Sequence, residues 1–441
     1  MPSRPRSSLT LALVGLAVVA CSSGGAAGGF GDAGTALKHD AKTDGADARS
    51  DTAPPDVTVL PTCTDCDHDG YVAPEDCNDN DALINPDAYD FIGDQVDNDC
   101  DGTVDNPVVT CETIPAAAPG SPLDFARAAD LCAQRAITHT GKPFDPIVSA
   151  AWGQVSGLGA GQTLWTSKTK SEQINIVSSF GQNTARLGKT MFGLSNGPWG
   201  ATDPRSSPAL DPPGFNLANA CSDIPLKGPD CQSLAGSAAG RDGGLPVVSV
   251  QDWAELTLTV QVPVNASGMS FDFAFFSSEF NEWWQSSAND AFFALVTSKT
   301  LDGTNVARGA DGLGVTVNSG FFELCPVFPG PAGLQEPAAL QPCVGTAGSS
   351  TVPGSLLGTG YDGAATSTND TAKNIEGMTY VYGGGSGWLQ AKLPVTPGEQ
   401  LEVRIVIMDT FDGIKDSVVL VDGFAWQASP PSAVVVARPP K

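Results

Sequence analysis

The sequence predicts a mainly β chain: an antiparallel β-sandwich, jelly-roll-like, preceded by a small stapled loop unit and a disordered tether. Three observations predict it. Apolar residues alternate with period two in several runs beyond about residue 116. Gly (50) and Pro (34) are abundant and charged residues make up only 16%, the profile of a loop-rich β protein rather than a helical one. The acids concentrate in one short cysteine-bearing stretch near the N-terminus.

The elements follow in chain order. Arg4 and Arg6 precede an apolar run, Leu9–Ala20. It is too short for a stable transmembrane helix and fits a signal peptide over residues 1–20. The run ends in VVAC, Val18–Cys21, which resembles a bacterial lipobox. That resemblance implies cleavage before Cys21, its lipidation, and a lipid anchor to the membrane. Ser22 follows rather than Asp. In lipoproteins this implies sorting to the outer membrane, and the expectation is a protein exported to the cell surface. The alternative is an ordinary cleavage site with a chance cysteine. There are 11 cysteines; without Cys21 ten remain, enough for five disulfides in an oxidising compartment.

Residues 21–62 are rich in Gly, Ala, Asp and Thr, with almost no large apolar side chains. Such a segment cannot bury a core and is expected to be a disordered tether.

Residues 63–111 read as a separate acidic unit. No Lys or Arg occurs between Ser50 and Ala126, and Asp65–Asp105 holds 14 Asp or Glu residues. With so few apolar residues the unit needs staples. Asp65–Asp76, DCDHDGYVAPED, has the spacing of a calcium loop. Carboxylates fall at positions 1, 3 and 5 (Asp65, Asp67, Asp69), Gly70 at the sharp turn, Tyr71 at the backbone-carbonyl position and Asp76 at position 12. A second copy of the core is Asp97, Asp99, Asp101 and Gly102, with Asp105 at position 9. Between them Asn78, Asp79, Asn80 and Asp81 offer further oxygens, so three clusters share ligands around two ions. Hard oxygen donors in this number suit Ca2+, which makes the unit disulfide- and calcium-stabilised. His68 is the lone histidine here, which disfavours zinc or copper. The competing reading is a solvated acidic linker.

Glu75–Asp105, EDCNDNDALINPDAYD…DQVDNDCDGTVD, resembles the MopE-type metal-binding repeat of bacterial surface proteins. The sequence departs from that pattern in two ways: Asp87 and Asp90 replace a Gly and a Glu, and a cysteine usual near Phe91–Gly93 is missing. The resemblance then implies a Cys77–Cys100 bridge. The family is linked by name to copper, but these oxygen-rich residues do not support copper.

Residues 116–428 are expected to form the sandwich. Leu256, Leu258, Val260 and Val262 alternate with polar residues, as do Met269, Phe271, Phe273 and Phe275, and Leu401, Val403, Ile405 and Ile407. A short helix is expected over Leu123–Ala136, with Asp124 near its start. Residues 429–441 form a Pro-rich tail. The runs SFDFAFFSSEFNEWWQSSANDAFFALV (Ser270–Val296) and LEVRIVIMDTFDGIKDSVVLVDGFAW (Leu401–Trp426) resemble the choice-of-anchor L domain of bacterial surface proteins. That family implies no particular reaction.

Within this domain Glu279 follows one strand and Asn289 and Asp290 begin the next. Asp409, Asp412 and Asp416 crowd one loop with Gly413, a set that suits one calcium ion or, alternatively, a solvated turn. Trp283 and Trp284 suggest a ligand platform or packing at a sheet edge. Cys221–Cys231 and Cys325–Cys343 are expected disulfides closing long loops; Cys63, Cys66, Cys111 and Cys132 leave three pairings open.

The net charge of −26 disfavours nucleic acid as a partner. No His-x-x-x-His, nucleophile elbow, P-loop or dinucleotide fingerprint occurs, so catalysis is not expected. The reading is a lipid-anchored envelope or surface protein that binds a surface glycan or protein ligand. The alternatives are a structural matrix component and a carbohydrate-active hydrolase using Glu279 and Glu282.

Overall fold

Two of the longest apolar runs, VQDWAELTLTVQ and QLEVRIVIMDT, become neighbouring strands because their alternate residues share one buried face. The computed structural model describes residues 63–107, 110–111, 120–132, 144–159, 164–200, 210, 215–216, 250–280, 289–308, 312, 314–317, 354–362, 383–410, 413, 415–431 and 434–437. These belong to one compact unit, Thr62–Lys441. Among them no helix is long and apolar enough to cross a membrane. The segment Leu9–Ala20, Cys21 and the tether lie outside the described residues.

In chain order the elements are α1 (Pro122–Ala128), β1 (Ile147–Trp152), β2 (Gln154–Gly159), β3 (Leu164–Lys168), β4 (Ile174–Val177), β5 (Ser179–Phe180), β6 (Asn183–Thr184), β7 (Met191–Ser195) and β8 (Phe215–Asn216). Then come β9 (Val250–Gln261), β10 (Gly268–Ser277), β11 (Ala291–Thr297), β12 (Thr304–Asn305), β13 (Val315–Thr316), β14 (Gly384–Pro394), β15 (Gln400–Thr410), β16 (Ser417–Gln427) and β17 (Val435–Ala437).

Two six-stranded antiparallel sheets form the sandwich. The first runs β1-β9-β15-β11-β12, with β13 also on β11; the second runs β17-β14-β10-β16-β7-β4. Leu256, Leu258 and Val260 of β9 and Val403, Ile405 and Ile407 of β15 meet Phe271, Phe273 and Phe275 of β10 in one core. The expected alternation is thus the inner face of each sheet.

The outer faces are covered as well. Val155 of β2 packs with Trp253, Phe293 and Met408 outside the first sheet. Leu356 and Tyr361 pack on Ala274, Phe276 and Leu420 outside the second. All ten residues of β10 are therefore buried, which lets Phe275 and Phe276 lie side by side on opposite faces.

The helix starts at Ser121 in a capping box with Asp124. It is shorter than expected: Ala129 ends it with a non-helical backbone, and residues beyond 132 lie outside those described. Phe125 fixes it by an edge-on contact with Trp152, ring centres 4.8 Å apart.

The acidic unit has no strand or helix among its described residues. It packs directly on the sandwich. Asn265, 2% exposed in the β9–β10 turn, accepts from Tyr89 N–H (2.8 Å) and donates to the carbonyls of Tyr89 (2.9 Å) and Leu83 (3.2 Å). Phe91 joins the main core, and Cys111–Cys132 fastens the following segment to the end of α1.

Candidate metal centre

The two acidic loops share one local construction. In the first, Asp65 Oδ1 accepts from His68 N–H (2.7 Å) and Oδ2 from Gly70 N–H (3.2 Å). In the second, Asp97 Oδ1 accepts from Asp101 N–H (3.2 Å) and Oδ2 from Gly102 N–H (2.9 Å). Asp67 and Asp99 each accept from the N–H two residues on, and so do Asp69 and Asp101. These Asx turns wrap the backbone so that carboxylates at positions 1, 3 and 5 converge.

Positive φ at positions 4 and 6 completes the wrap: His68 (67°) and Gly70 (100°), then Cys100 (54°) and Gly102 (90°). The glycines supply that conformation readily; His68 and Cys100 adopt it despite their side chains.

Three carboxylate groups result, each with oxygens within 4.8 Å of one another: Asp65–Asp67–Asp79, Asp67–Asp69–Asp76 and Asp97–Asp99–Asp101. Asp67 belongs to the first two. Asp67 Oδ2, Asp69 Oδ2 and Asp76 Oδ2 are buried without hydrogen-bond partners, and Asp76 is only 3% exposed. Burial pushes the Asp76 carboxyl up, and burial with the nearby Asp101 carboxylate pushes Asp99 up to about 6. Carboxylates held in this way repel one another and lack solvent, so a cation offsets both penalties.

The donor set fits a hard cation. Every cluster atom is a carboxylate oxygen. Cys63–Cys66 and Cys77–Cys100 are disulfides, so their sulfurs are not thiolate ligands. The Cys77–Cys100 bridge ties the residue after Asp76 to the residue between Asp99 and Asp101, uniting the two loops.

The other expected ligands divide. Asp79 joins a cluster and also accepts from Cys66 N–H (3.1 Å). Asn78 donates its backbone N–H to Asp76 Oδ1, while Asn80 and Asp81 are exposed, Asp81 capping Leu83 N–H. Asp105 stands apart from the second cluster, accepting from the N–H groups of Gly93 (2.7 Å) and Gln95 (3.2 Å). Tyr71 donates its hydroxyl to Asp87, and burial with that bond pushes its phenol up.

Sequence reasoning missed the supports behind these loops. Asp90, 7% exposed, accepts from the N–H groups of Asn98 and Asn106. Asn98 Oδ1 accepts from Phe91 N–H, and Asn106 Nδ2 donates to Asp99 and Asp101. Only the Asx-rich composition hinted at them.

A further acidic group lies inside the sandwich. Glu279 after β10, Asp290 before β11 and Asp409 in β15 are exposed by 0%, 0% and 1% and bring oxygens within 4.8 Å. Asp290 N–H donates to Glu279 Oε2 (2.8 Å), and Ser417 Oγ donates to Asp290 Oδ2 (2.5 Å). The structure groups Asp409 with these residues. Asp416 is buried before β16, its carboxylate packed on Gly197, where a Cβ would lie 2.0 Å from its Cγ. Asp412, Glu282, Trp283, Trp284 and the cysteines Cys221, Cys231, Cys325 and Cys343 lie outside the described residues. Of the open pairings, the structure joins Cys63 to Cys66 and Cys111 to Cys132.

Residues 76–106 match the family model described as "Putative metal-binding motif", the MopE type. The match spans the second loop and its Asp90–Asn98–Asn106 support, and it begins at the last residue of the first loop. Neither a curated protein nor a solved structure matches the chain.

Proposed function

We propose that the chain is a lipid-anchored bacterial envelope protein in which calcium bound by residues 65–101 shapes a ligand-binding or adhesive surface, without catalysis. The observation that carries the calcium reading is the trio Asp67 Oδ2, Asp69 Oδ2 and Asp76 Oδ2: buried, partnerless and convergent. Calcium takes six to eight hard oxygens at flexible geometry, and the Asp-x-Asp-x-Asp-Gly wrap supplies three carboxylates toward that shell. The VVAC box and the absence of basic residues between Ser50 and Ala126 support an exported, cation-seeking protein. Glu279 is wholly buried against Asp290 and Asp409, which favours a structural over a substrate-contacting role for it.

The experiment is thermal unfolding and limited proteolysis of the full chain over a calcium series, with magnesium and copper as comparisons. Ligand binding to the folded state alone adds about 2.7 kcal/mol at ~100-fold excess over Kd. Calcium should therefore raise the unfolding temperature, and Asp67→Asn with Asp69→Asn should remove most of that rise. Extracellular modules bind at about 0.1–1 mM; no response to calcium across that range sinks the reading, and a response to copper alone replaces it. Cys21→Ala should release the protein from the membrane fraction; retention at wild-type level with unchanged mature mass removes the anchor.

A further inference from the structure

The two acidic loops match at the Oδ1 atoms of positions 3 and 5 and differ at the Oδ2 atoms. In both, Oδ1 accepts from the N–H two residues on: Asp67 and Asp69 in the first loop, Asp99 and Asp101 in the second. In the first loop Asp67 Oδ2 and Asp69 Oδ2 are buried without a hydrogen-bond partner, and the two residues group with Asp76, whose Oδ2 is in the same state. In the second loop one nitrogen answers both: Asn106 Nδ2 donates to Asp99 Oδ2 (3.3 Å) and to Asp101 Oδ2 (3.1 Å). A primary amide carries two N–H donors on that nitrogen, so both bonds form at once. The opposite orientation would set a carbonyl oxygen against two carboxylates.

Asn106 is fixed in this place by its backbone. Its N–H donates to the buried Asp90, which also accepts from Asn98 N–H (3.1 Å). Asn98 Oδ1 in turn accepts from the N–H of Phe91, a member of the main core. Counted from the first Asp of its loop, Asn106 is position 10, where the first loop has Pro74, a residue with no donor in its side chain. Position 12 is Asp76 in the first loop and Val108 in the second. The second loop has thus gained a donor and lost a carboxylate relative to the first.

We propose that Asn106 decides which loop takes the ion: its amide does for Asp99 and Asp101 what a cation would do for Asp67 and Asp69. Calcium then enters at Asp67, Asp69 and Asp76, while the chain itself closes the cluster Asp97–Asp99–Asp101. The proposal rests on the calcium reading above and assigns it to one loop.

The physical reason is competition for the same oxygens. Two amide hydrogens carry partial positive charge and offset the repulsion between Asp99 and Asp101 without an ion. A cation arriving there must displace them, which gives up two charge-assisted hydrogen bonds. It would then find no carboxylate at position 12 to help fill a shell of six to eight oxygens. The first loop pays no such exchange at Asp67 Oδ2, Asp69 Oδ2 and Asp76 Oδ2. The metal-binding motif matched over residues 76–106 therefore includes a loop that this chain satisfies with its own amide.

The test is calcium titration calorimetry and thermal unfolding of the full chain, wild type against Asn106→Asp and Asn106→Ala. Asn106→Asp exchanges the two donor hydrogens for a further carboxylate. It should bind one calcium ion more than wild type, and it should keep that ion when Asp67→Asn and Asp69→Asn remove the first site. Its unfolding temperature without calcium should fall below that of wild type, and saturating calcium should restore it; a purely structural role for Asn106 gives the fall without the recovery. Asn106→Ala removes the donor and adds no ligand, so it should show the same gain at lower affinity, and it takes the place of Asn106→Asp if that variant does not fold. No added ion in either variant, or a loss of stability that calcium does not recover, overturns the proposal. A wild-type calcium response with no gain in the variants rejects the role of Asn106 alone. A gained ion in Asn106→Asp with no wild-type response rejects the calcium reading of the first loop and leaves Asn106 as the group that closes the second.

Discussion

Asp422 is the residue whose ionisation bears most directly on stability. It is fully buried in β16, and its carboxylate accepts from the N–H groups of Arg186, Leu187 and Gly423. Burial, with the Asp130 carboxylate nearby, nevertheless pushes it up to about 8. A carboxyl raised above its unfolded value binds more protons folded than unfolded. Its contribution is complete at low pH and is lost as pH rises from near 4 through about 8. Calcium-saturated protein should therefore melt at a higher temperature at pH ~6 than at pH ~8.5. Asp422→Asn should lower the melting temperature throughout but flatten that slope; an unchanged slope in the variant assigns the pH response elsewhere. Residue-scale features differ in how far sequence reveals them. Gly70 and Gly102 announce left-handed turns, since glycine favours φ near their 100° and 90°. Cys100 does not, and His68 only weakly: histidine is enriched at positive φ, but few histidines adopt it.

Strands carry the same contrast between legible and hidden. The alternating runs in β9, β10 and β15 were readable because period-two burial is a property of each segment alone. Strands β5, β6, β8, β12 and β13 have two residues each, too short for any period to register. The pairing of β9 with β15 also hides an ion pair. Glu255, 2% exposed, takes Arg404 at both oxygens, Nε to Oε1 at 2.5 Å and Nη2 to Oε2 at 3.0 Å, plus Trp253 Nε1 and Thr257 Oγ1. Removing one partner strands a buried charge, at about 3–5 kcal/mol. Arg404→Leu should lose stability on that scale in denaturant unfolding. Glu255→Leu combined with Arg404→Leu should lose less than the sum of the single changes; strict additivity would mean the pair is not coupled.

At the scale of the whole molecule, sequence separated an acidic unit from a sandwich but could not show what holds them together. The fastening is Asn265, whose partners lie 176 and 182 residues away, and no local pattern encodes such a contact. The acidic clusters were legible because their ligands are neighbours in sequence; the Glu279–Asp290–Asp409 group was only half visible because it draws on three separate strand ends. Asn265→Ala leaves backbone groups of Tyr89 and Leu83 without this partner, at up to about 1–3 kcal/mol where such a group stays out of reach of water. The expected outcome is faster protease cleavage within residues 63–111 with calcium present, while the sandwich keeps its core; wild-type protease resistance would show that Phe91 and the Cys111–Cys132 link suffice.

Those cystines also set how tension would travel along the chain. A pull from the N-terminal side enters at Cys63 and crosses to Cys66 through sulfur. It then runs along the backbone to Cys77, jumps to Cys100, continues to Cys111 and jumps again to Cys132. Residues 78–99 and helix α1 are thereby bypassed. The wrapped loop Asp65–Asp76 is not: most of its length, from Cys66 to Cys77, sits in series with the load. Straightening that loop pulls Asp67, Asp69 and Asp76 apart, so an ion held there would act as a mechanical clasp between the N-terminal side of the chain and the sandwich.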